Sequence, residues 1–194
     1  MIIKPVTLFG QHVCLEPLAE THIPELIKAG SNSSIWQYSW PSNQHHTEIM
    51  ENYIYHMLAL HKLEERLHFA VRHLVSNRLI GMTSYYNFQK AHRNLEIGGS
   101  WYVIEFQRSA INTESKYMML KQAFEVWDCI RVQFRIDAKN LRSTNSIKRI
   151  GATKEGVLRN NYIVDGKCYD LNLYSIINRE WTEVKLKLEL MLAR

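Results

Sequence analysis

The sequence predicts an α+β, or mixed α/β, domain in which helices are inserted between the strands of one sheet. Three observations carry this. Apolar and polar residues alternate with period two near the start, at the middle and near the end of the chain. Segments of helical period, with recognisable starts and stops, separate those stretches. No low-complexity linker or internal repeat interrupts residues 1–194, so the chain reads as one domain.

In order, His12 to Leu18 is a short apolar run, a first strand that Pro17 ends or places at an edge. Thr21 to Ala29 is a helix, with Thr21 to cap it, Pro24 and Glu25 in its first turn and Gly30 to stop it. Ser31 to Thr47 is a polar loop carrying Trp36, Tyr38, Trp40 and Pro41. Such aromatics either line a substrate mouth or pack the loop onto the body. Thr47 to Leu63 has helical spacing in Ile49, Tyr53, Met57 and Leu60, with Thr47 as its cap candidate. Leu67 to Leu74 and Arg78 to Phe88 are strands around a Ser76-Asn77 turn.

Leu95 to Val103 is the central strand, with Leu95, Ile97, Trp101 and Val103 predicted on one face. After a connection from Ile104 to Asn112, a helix begins near Thr113, with Asn112-Thr113 as its cap and Tyr117, Leu120, Phe124 and Trp127 as its stripe. Val132 to Asp137 is a strand, and Asn140 to Ile150 a helix stopped by Gly151. Val157 to Val164 and Lys167 to Ile177 form a hairpin around Asp165-Gly166. Trp181 to Leu190 is an amphipathic helix.

Composition narrows the function classes. Apolar residues make up 46% of 194, ample for a core, and no run approaches the roughly 18 apolar residues of a membrane span. The N-terminus has no long apolar region of the signal-peptide kind. Cys14, Cys129 and Cys168 are odd in number and far apart, which points to a reducing, cytoplasmic setting rather than to disulfides or zinc. The nine histidines show no ligand spacing, so no metal is expected. The net charge of +5 is modest. Lys139, Arg142, Lys148, Arg149, Lys154 and Arg159 form a basic patch without any nucleic-acid-binding motif, and read as a solvated face that also attracts a phosphate-bearing ligand.

A strand, a tight loop and a fresh helix N-terminus make an anion site, because the first helical amides lack internal partners and the helix dipole favours negative charge there. The loop reads Gln107-Arg108-Ser109-Ala110-Ile111-Asn112. Downstream come Asn140 to Ser143, Ile150-Gly151-Ala152, Glu155 to Arg159, Asp165-Gly166, Asp170 and Tyr174 to Ile176. This ordered set resembles the GNAT acetyltransferase superfamily in its RimJ/RimL-like branch, over nearly the whole chain. The resemblance implies a mixed, mostly antiparallel sheet that splays open beside the central strand to admit acetyl-CoA. It also implies an N-acetyltransferase whose acceptor is a primary amine, of a protein N-terminus or a small molecule, attacking directly in a ternary complex. No nucleic acid or membrane partner is implied, and a homodimer is left open. A noncatalytic GNAT-like module, binding coenzyme A or a partner protein, is the alternative.

By the same resemblance Trp101, Tyr102 and Val103 flank the thioester arm. Arg108, Ser109, Ala110, Ile111, Asn112 and Thr113 offer pyrophosphate-binding amides, Gln107 opens the motif, and Asn140 and Ser143 lie beside the arm. Glycine is the family's choice at Ala110, Gly or Ala at Asn112, and often Gly at Arg108, so this loop is glycine-poor; the Arg108 side chain would offset that loss as a phosphate partner. Glu114 suits the helix dipole and is expected to point outward. Transfer to an amine needs a base, oxyanion stabilisation and an acid for the thiolate. Glu96 is the candidate base, or else a cross-strand partner for a basic residue. Ser143 is the candidate acid, with Tyr174 second to it. Locally, Asn140 and Ser143 also read as a helix cap and its first-turn partner.

Overall fold

A computed structural model describes residues 3–38, 46–63 and 65–193. Trp40, Pro41, His45 and Glu64 lie outside the described residues. Eight strands form one sheet: β1 (Leu8–Phe9), β2 (Val13–Pro17), β3 (Arg66–His73), β4 (Arg78–Gln89), β5 (Asn94–Tyr102), β6 (Arg131–Asp137), β7 (Thr153–Val164) and β8 (Lys167–Ile177). Their order is β1-β2-β3-β4-β5-β6-β8-β7. Every pairing is antiparallel except β5 with β6. The helices are α1 (Ile23–Ala29), α2 (Thr47–Lys62), α3 (Ile111–Lys121), α4 (Leu141–Arg149) and α5 (Trp181–Leu192). The predicted mixed, mostly antiparallel sheet is therefore present.

The sheet carries a core on each face. One gathers Met118, Met119, Leu120 and Phe124 of α3 and its extension, Trp181, Val184 and Leu188 of α5, and Leu95, Ile97 and Tyr102 of β5. The other packs Leu26, Met50 and Ile54 of α1 and α2 against Met82 and Trp101. Trp101 thus lies on the opposite face from Leu95 and Ile97, contrary to strict alternation. The pairing of β4 with β5 shifts between Met82↔Trp101 and Ser84↔Gly98, so β5 holds one extra residue. Gly99 absorbs it at φ +59, where a side chain is disfavoured. Beyond this bulge Ser100 and Tyr102 join the α3 face.

The β7–β8 hairpin turns through Asp165 and Gly166, both at positive φ, as Asp-Gly predicts. Asn140 caps α4, its Oδ1 accepting from the Ser143 amide at 3.0 Å. Thr21 and Thr47 do not cap their helices: α1 follows a tight turn over Glu20–His22, and His46 holds the cap position of α2. Past Lys121 a π-helical turn, Gln122–Val126, carries the chain to Trp127.

Two expectations around α3 are corrected. The helix starts at Ile111, two residues early, because the Ser109 hydroxyl accepts from the Ile111 amide at 3.3 Å and donates to the Phe106 carbonyl at 2.6 Å. Glu114 points inward, not outward. It is buried and accepts the amides of Gln11, His12 and Val13 at 2.6, 2.9 and 2.9 Å, which fastens the β1–β2 turn to the first turn of α3. A Cβ on Gly10 would stand 2.5 Å from this carboxylate. Three amides sharing one charged acceptor make Glu114→Ala costly, by about 3 kcal/mol or more. A urea titration should show the midpoint fall accordingly; an unmoved midpoint would mean that the turn finds other acceptors.

Candidate active site

β5 and β6 pair at only three positions, Asn94↔Arg131, Leu95↔Val132 and Glu96↔Gln133. Past them β6 stays with β8 while β5 stays with β4, and a cleft of about 580 Å³ opens between them. Ile97 to Tyr102 form one wall and Phe134 to Asp137 the other. The α3 loop and α4 border it on one face of the sheet, and Ile35, Trp36, Tyr38 and Tyr53 also line it, with Trp36 and Tyr53 packed on the α1–α2 face, Trp36 5.1 Å from Trp101 between ring centroids.

The loop end is built for an anion. Arg108 takes φ +61, so the left-handed backbone position of this loop falls on Arg108 and not on Ala110, which is ordinary right-handed helix at φ −65. The amides of Ala110, Asn112 and Thr113 have no acceptor among the described residues, as a helix start leaves them. Side-chain bonds clamp this end to α4 and to β5. Arg142 donates to Gln107 Oε1 at 2.9 Å, and Gln107 Nε2 donates to the Tyr102 carbonyl at 2.9 Å. Asn112 donates to Ser146 Oγ at 2.7 Å, and Arg149 to Thr113 Oγ1 at 2.8 Å. Arg142 and Arg149 are held by neutral acceptors, so their charge stays available to a ligand.

The vertex of the cleft is a buried polar cluster. Glu96 is fully buried and binds Arg135 Nε at 2.9 and 2.8 Å and Gln133 Nε2 at 3.1 Å, with the Tyr86 hydroxyl donating to it from β4. Burial, then the adjoining Glu96, drive the Tyr86 hydroxyl far above its ordinary range, so it stays a donor. Arg135 borders the cleft, whereas Glu96 does not. Glu96 is thus held as a cross-strand partner of Arg135, and it reaches the cleft only behind that residue.

Of the sequence-predicted residues, Trp101, Tyr102, Gln107, Arg108, Ser109, Asn112, Asn140 and Ser143 line the cleft together. Val103, Ala110, Ile111 and Thr113 support it from behind; Ile111 is core, and Val103 donates its amide to Ile80. Tyr174, the second acid candidate, is buried in the main core and away from the cleft lining.

Sequence reading missed Lys116, Ser100 and Arg135. Lys116 is 3% exposed, lines the cleft and donates to Ser100 Oγ at 2.6 Å and Thr83 Oγ1 at 3.4 Å. No carboxylate pairs with it among the described residues, and burial lowers it to about 7. The available signal was a lysine four residues before Leu120 and four after Asn112, on the inward side of α3.

Comparison with known proteins places this geometry. A family profile described as "Acetyltransferase (GNAT) domain" matches residues 12–153. YdaF of Bacillus subtilis (strain 168), provisionally named a ribosomal N-acetyltransferase, is 34% identical over 108 residues, 56% of this chain and 58% of YdaF. The chain thus spans less than two thirds of that relative. A crystal structure from T. thermophilus, provisionally named an acetyltransferase, is 31% identical with a TM-score of 0.84, covering 99% of this chain and 100% of its own. The self-immunity acetyltransferase MccE, solved with acetyl-CoA and AMP, shares the fold at TM-score 0.75 and 22% identity, over 87% of this chain and 93% of its own. Among the described residues no helix is long and apolar enough to cross a membrane.

Lys116 gives a stability prediction with a definite sign. Its pKa is about 7 folded and near the ordinary 10.5 unfolded, so between those values the unfolded chain holds more protons. Stability due to this group therefore rises as pH climbs from 7 toward 10 and is flat below 7. Lys116→Met should abolish that rise and stabilise the ligand-free protein at pH 7 by on the order of 4 kcal/mol. Denaturant titrations at pH 7 and 9.5 check this; equal pH slopes for the two proteins would mean that Lys116 is charged in the fold.

Proposed function

The chain belongs to the GNAT acetyltransferase family, and from that membership we propose that it transfers the acetyl group of acetyl-CoA to a primary amine by direct attack in a ternary complex. The observation that carries this is the make-up of the cleft: unpaired helix-start amides and neutrally anchored arginines where it meets α3 and α4, and an aromatic wall on the α1–α2 face of the sheet. The residues fit a diphosphate-bearing co-substrate. The amides of Ala110, Asn112 and Thr113 would hold the diphosphate, with Arg108, Arg142 and Arg149 adding charge. The open edge of β5 offers backbone donors and acceptors to an amide-bearing arm, and Asn140 has its side-chain amide free beside it. Acetyl-CoA supplies an already activated acyl group; the chain supplies position, dryness and proton control.

The acceptor we favour is the α-amine of a protein N-terminus. Among the described residues lining the cleft, Asp137 is the one carboxylate, and it accepts the Lys139 amide at 2.7 Å and the Tyr162 hydroxyl. Lys116, Arg108, Arg142 and Arg149 line the same cleft without a carboxylate partner among the described residues, and Arg135 lines it already paired with Glu96. That field repels a small polycationic amine. An α-amine, with a pKa of about 7.7–8.0, is also far more often neutral at pH 7 than a lysine-type amine near 10.4, so it asks less of a base. This matters because Glu96, the carboxylate nearest the vertex, is committed to Arg135 and would serve as base only after releasing it. The provisional naming of YdaF for ribosomal acetylation agrees with this choice of acceptor. Ser143 remains a candidate proton donor, its hydroxyl facing the cleft without a partner among the described residues.

The noncatalytic alternative draws on the glycine-poor loop. At Ala110 the backbone is ordinary, so that motive rests on Arg108, where the left-handed position falls.

Isothermal titration with acetyl-CoA, then a thiol-release assay over N-terminal peptides and small amines, tests the proposal. Peptide α-amines should outpace polyamines at pH 7 by roughly two orders of magnitude, following the neutral fractions. Binding without turnover on any amine would leave the noncatalytic reading standing. Arg108 probes the loop separately. It carries both a cation and a strained φ, the strain costing about 1–3 kcal/mol. Arg108→Ala should weaken acetyl-CoA about tenfold, while Arg108→Gly, which frees the backbone, should weaken it less. Equal losses would mean that the left-handed turn is unstrained.

A further inference from the structure

We propose that Ser100 and Lys116 form a proton-delivering pair directed at the sulfur of coenzyme A, with Ser100 touching the sulfur and Lys116 acting through it. The inference rests on the acetyl-transfer reading and deepens it. In the forward step the acceptor nitrogen bonds to the acetyl carbon and the carbon–sulfur bond breaks, leaving its electron pair on sulfur. The Ser100 hydroxyl gives its proton to that sulfur and takes one from Lys116 Nζ. Lys116 is left neutral, and the proton shed by the acceptor nitrogen restores its charge through solvent. No oxidant, reductant or further co-reactant is required.

Position is the first argument. Along the open edge of β5, Ser100 stands between the vertex at Glu96 and the Tyr102 carbonyl, which is tied to the anion loop. A ligand anchored by its phosphates at the loop and reaching along this edge toward the vertex passes Ser100. The bulge at Gly99 is the second argument, because it turns Ser100 onto the α3 face while leaving it exposed in the cleft wall. Without that extra residue Ser100 would face α1 and α2, out of reach of α3.

The third argument is the connection itself. Ser100 Oγ lies 2.6 Å from Lys116 Nζ and 2.7 Å from Thr83 Oγ1, so the serine is held by a proton source behind and a neutral hydroxyl beside it. Ser143, the rival hydroxyl, has no such source. The groups facing Lys116 leave its charge uncompensated. Tyr85 of β4 donates to the Met119 carbonyl, and burial holds Tyr102 of β5 at about 12, so neither supplies an anion. Glu114, on the same helix, is turned to the β1–β2 turn, and Glu96 lies on the opposite face of β5. Arg108 and Arg149 on the cleft side are cations. A lysine near 7 gives up its proton readily to a thiolate whose acid is near roughly 8.5.

The test needs no acceptor. The ultraviolet absorbance of thiolate is titrated with free coenzyme A bound to the protein, against the same protein holding acetyl-CoA, which has no titrating thiol. In the wild type the bound thiol should ionise about one pH unit or more below free coenzyme A, because the Ser100 hydroxyl donates to the thiolate and a thiolate so placed keeps the proton on Lys116 behind it. Lys116→Met should abolish the shift and Ser100→Ala should cut it by at least half, while isothermal titration shows coenzyme A still bound to both. Identical thiol titrations in wild type and Lys116→Met overturn the pair alone. A shift lost in Ser143→Ala but kept in Ser100→Ala also overturns it and names Ser143 as the donor. Wild-type protein that binds no coenzyme A overturns the cleft assignment itself. Circular dichroism of each variant guards against misfolding, and Ser100→Ala, which removes one oxygen, keeps the test open if Lys116→Met fails to fold.

Discussion

The cleft depends on one carboxylate at the point where a parallel ladder stops. β5 and β6 share three rungs, the last of them Glu96 with Gln133. At that rung Glu96 binds Gln133 and Arg135 of β6 and receives the Tyr86 hydroxyl from β4, so a single side chain ties three strands at the vertex. Burying a carboxylate costs several kcal/mol unless its oxygens are filled, and here they are. Backbone pairing can end there without the sheet coming apart, and its ending creates the cleft. Arg135, the cation of the pair, is 37% exposed along its side chain and presents its edge to the cleft. The fastener of the fold is also part of the site's electrostatic floor, so its structural and chemical roles are not separable by burial alone.

α3 poses a related problem. A helix packed on nearly every side usually reads as apolar all round. This one begins Ile-Asn-Thr-Glu-Ser-Lys, and Thr113, Glu114, Ser115 and Lys116 are all buried. Each is satisfied by a different neighbour. Asn112 and Thr113 reach α4, Glu114 takes three amides of the β1–β2 turn, and Ser115 returns to the Ile111 carbonyl at 2.8 Å. These bonds fix where the helix N-terminus points, which an apolar face would leave to packing. Lys116 departs from the pattern: it is an amine among hydroxyls, and among the described residues no anion matches it when it is charged. Buried charge that the fold does not compensate lowers stability, and such departures from local consistency concentrate where chemistry is carried out.

What was legible in the sequence follows the range of the forces involved. Asp165-Gly166 specifies its hairpin through φ alone, and Asn140 specifies its cap through a bond three residues away. The strand, loop and helix of the anion site were legible for the same local reason. The bulge was not, because period-two alternation assumes one residue per rung; the Gly98-Gly99 pair was the only local sign of an extra one. Glu114 was misjudged because its partners lie about a hundred residues away in sequence. In the loop the family's glycine preference covers Arg108, Ala110 and Asn112, and of these the left-handed backbone falls on Arg108 while Ala110 is ordinary helix. The motif marked the loop but not which of its positions takes the unusual backbone.

The arginines of the cleft owe their effect to what anchors them. Arg131 and Arg93 elsewhere pair with Glu155 and Asp128, so their charge is cancelled within the fold. Arg142 and Arg149 rest on an amide oxygen and a hydroxyl, which orient a guanidinium without neutralising it. Orientation is thereby fixed before any ligand arrives, and the ordering cost of two long side chains is already met in the fold. The same bonds hold α4 against the start of α3, so the width of the anion end and the direction of its charge are set together. A ligand whose phosphates fit that width gains from preorganised cations and free amides at once. A ligand lacking them faces a wall of unpaired positive charge. The bonds that orient these guanidinium groups and the absence of a neutralising carboxylate on them, among the described residues, thus act together.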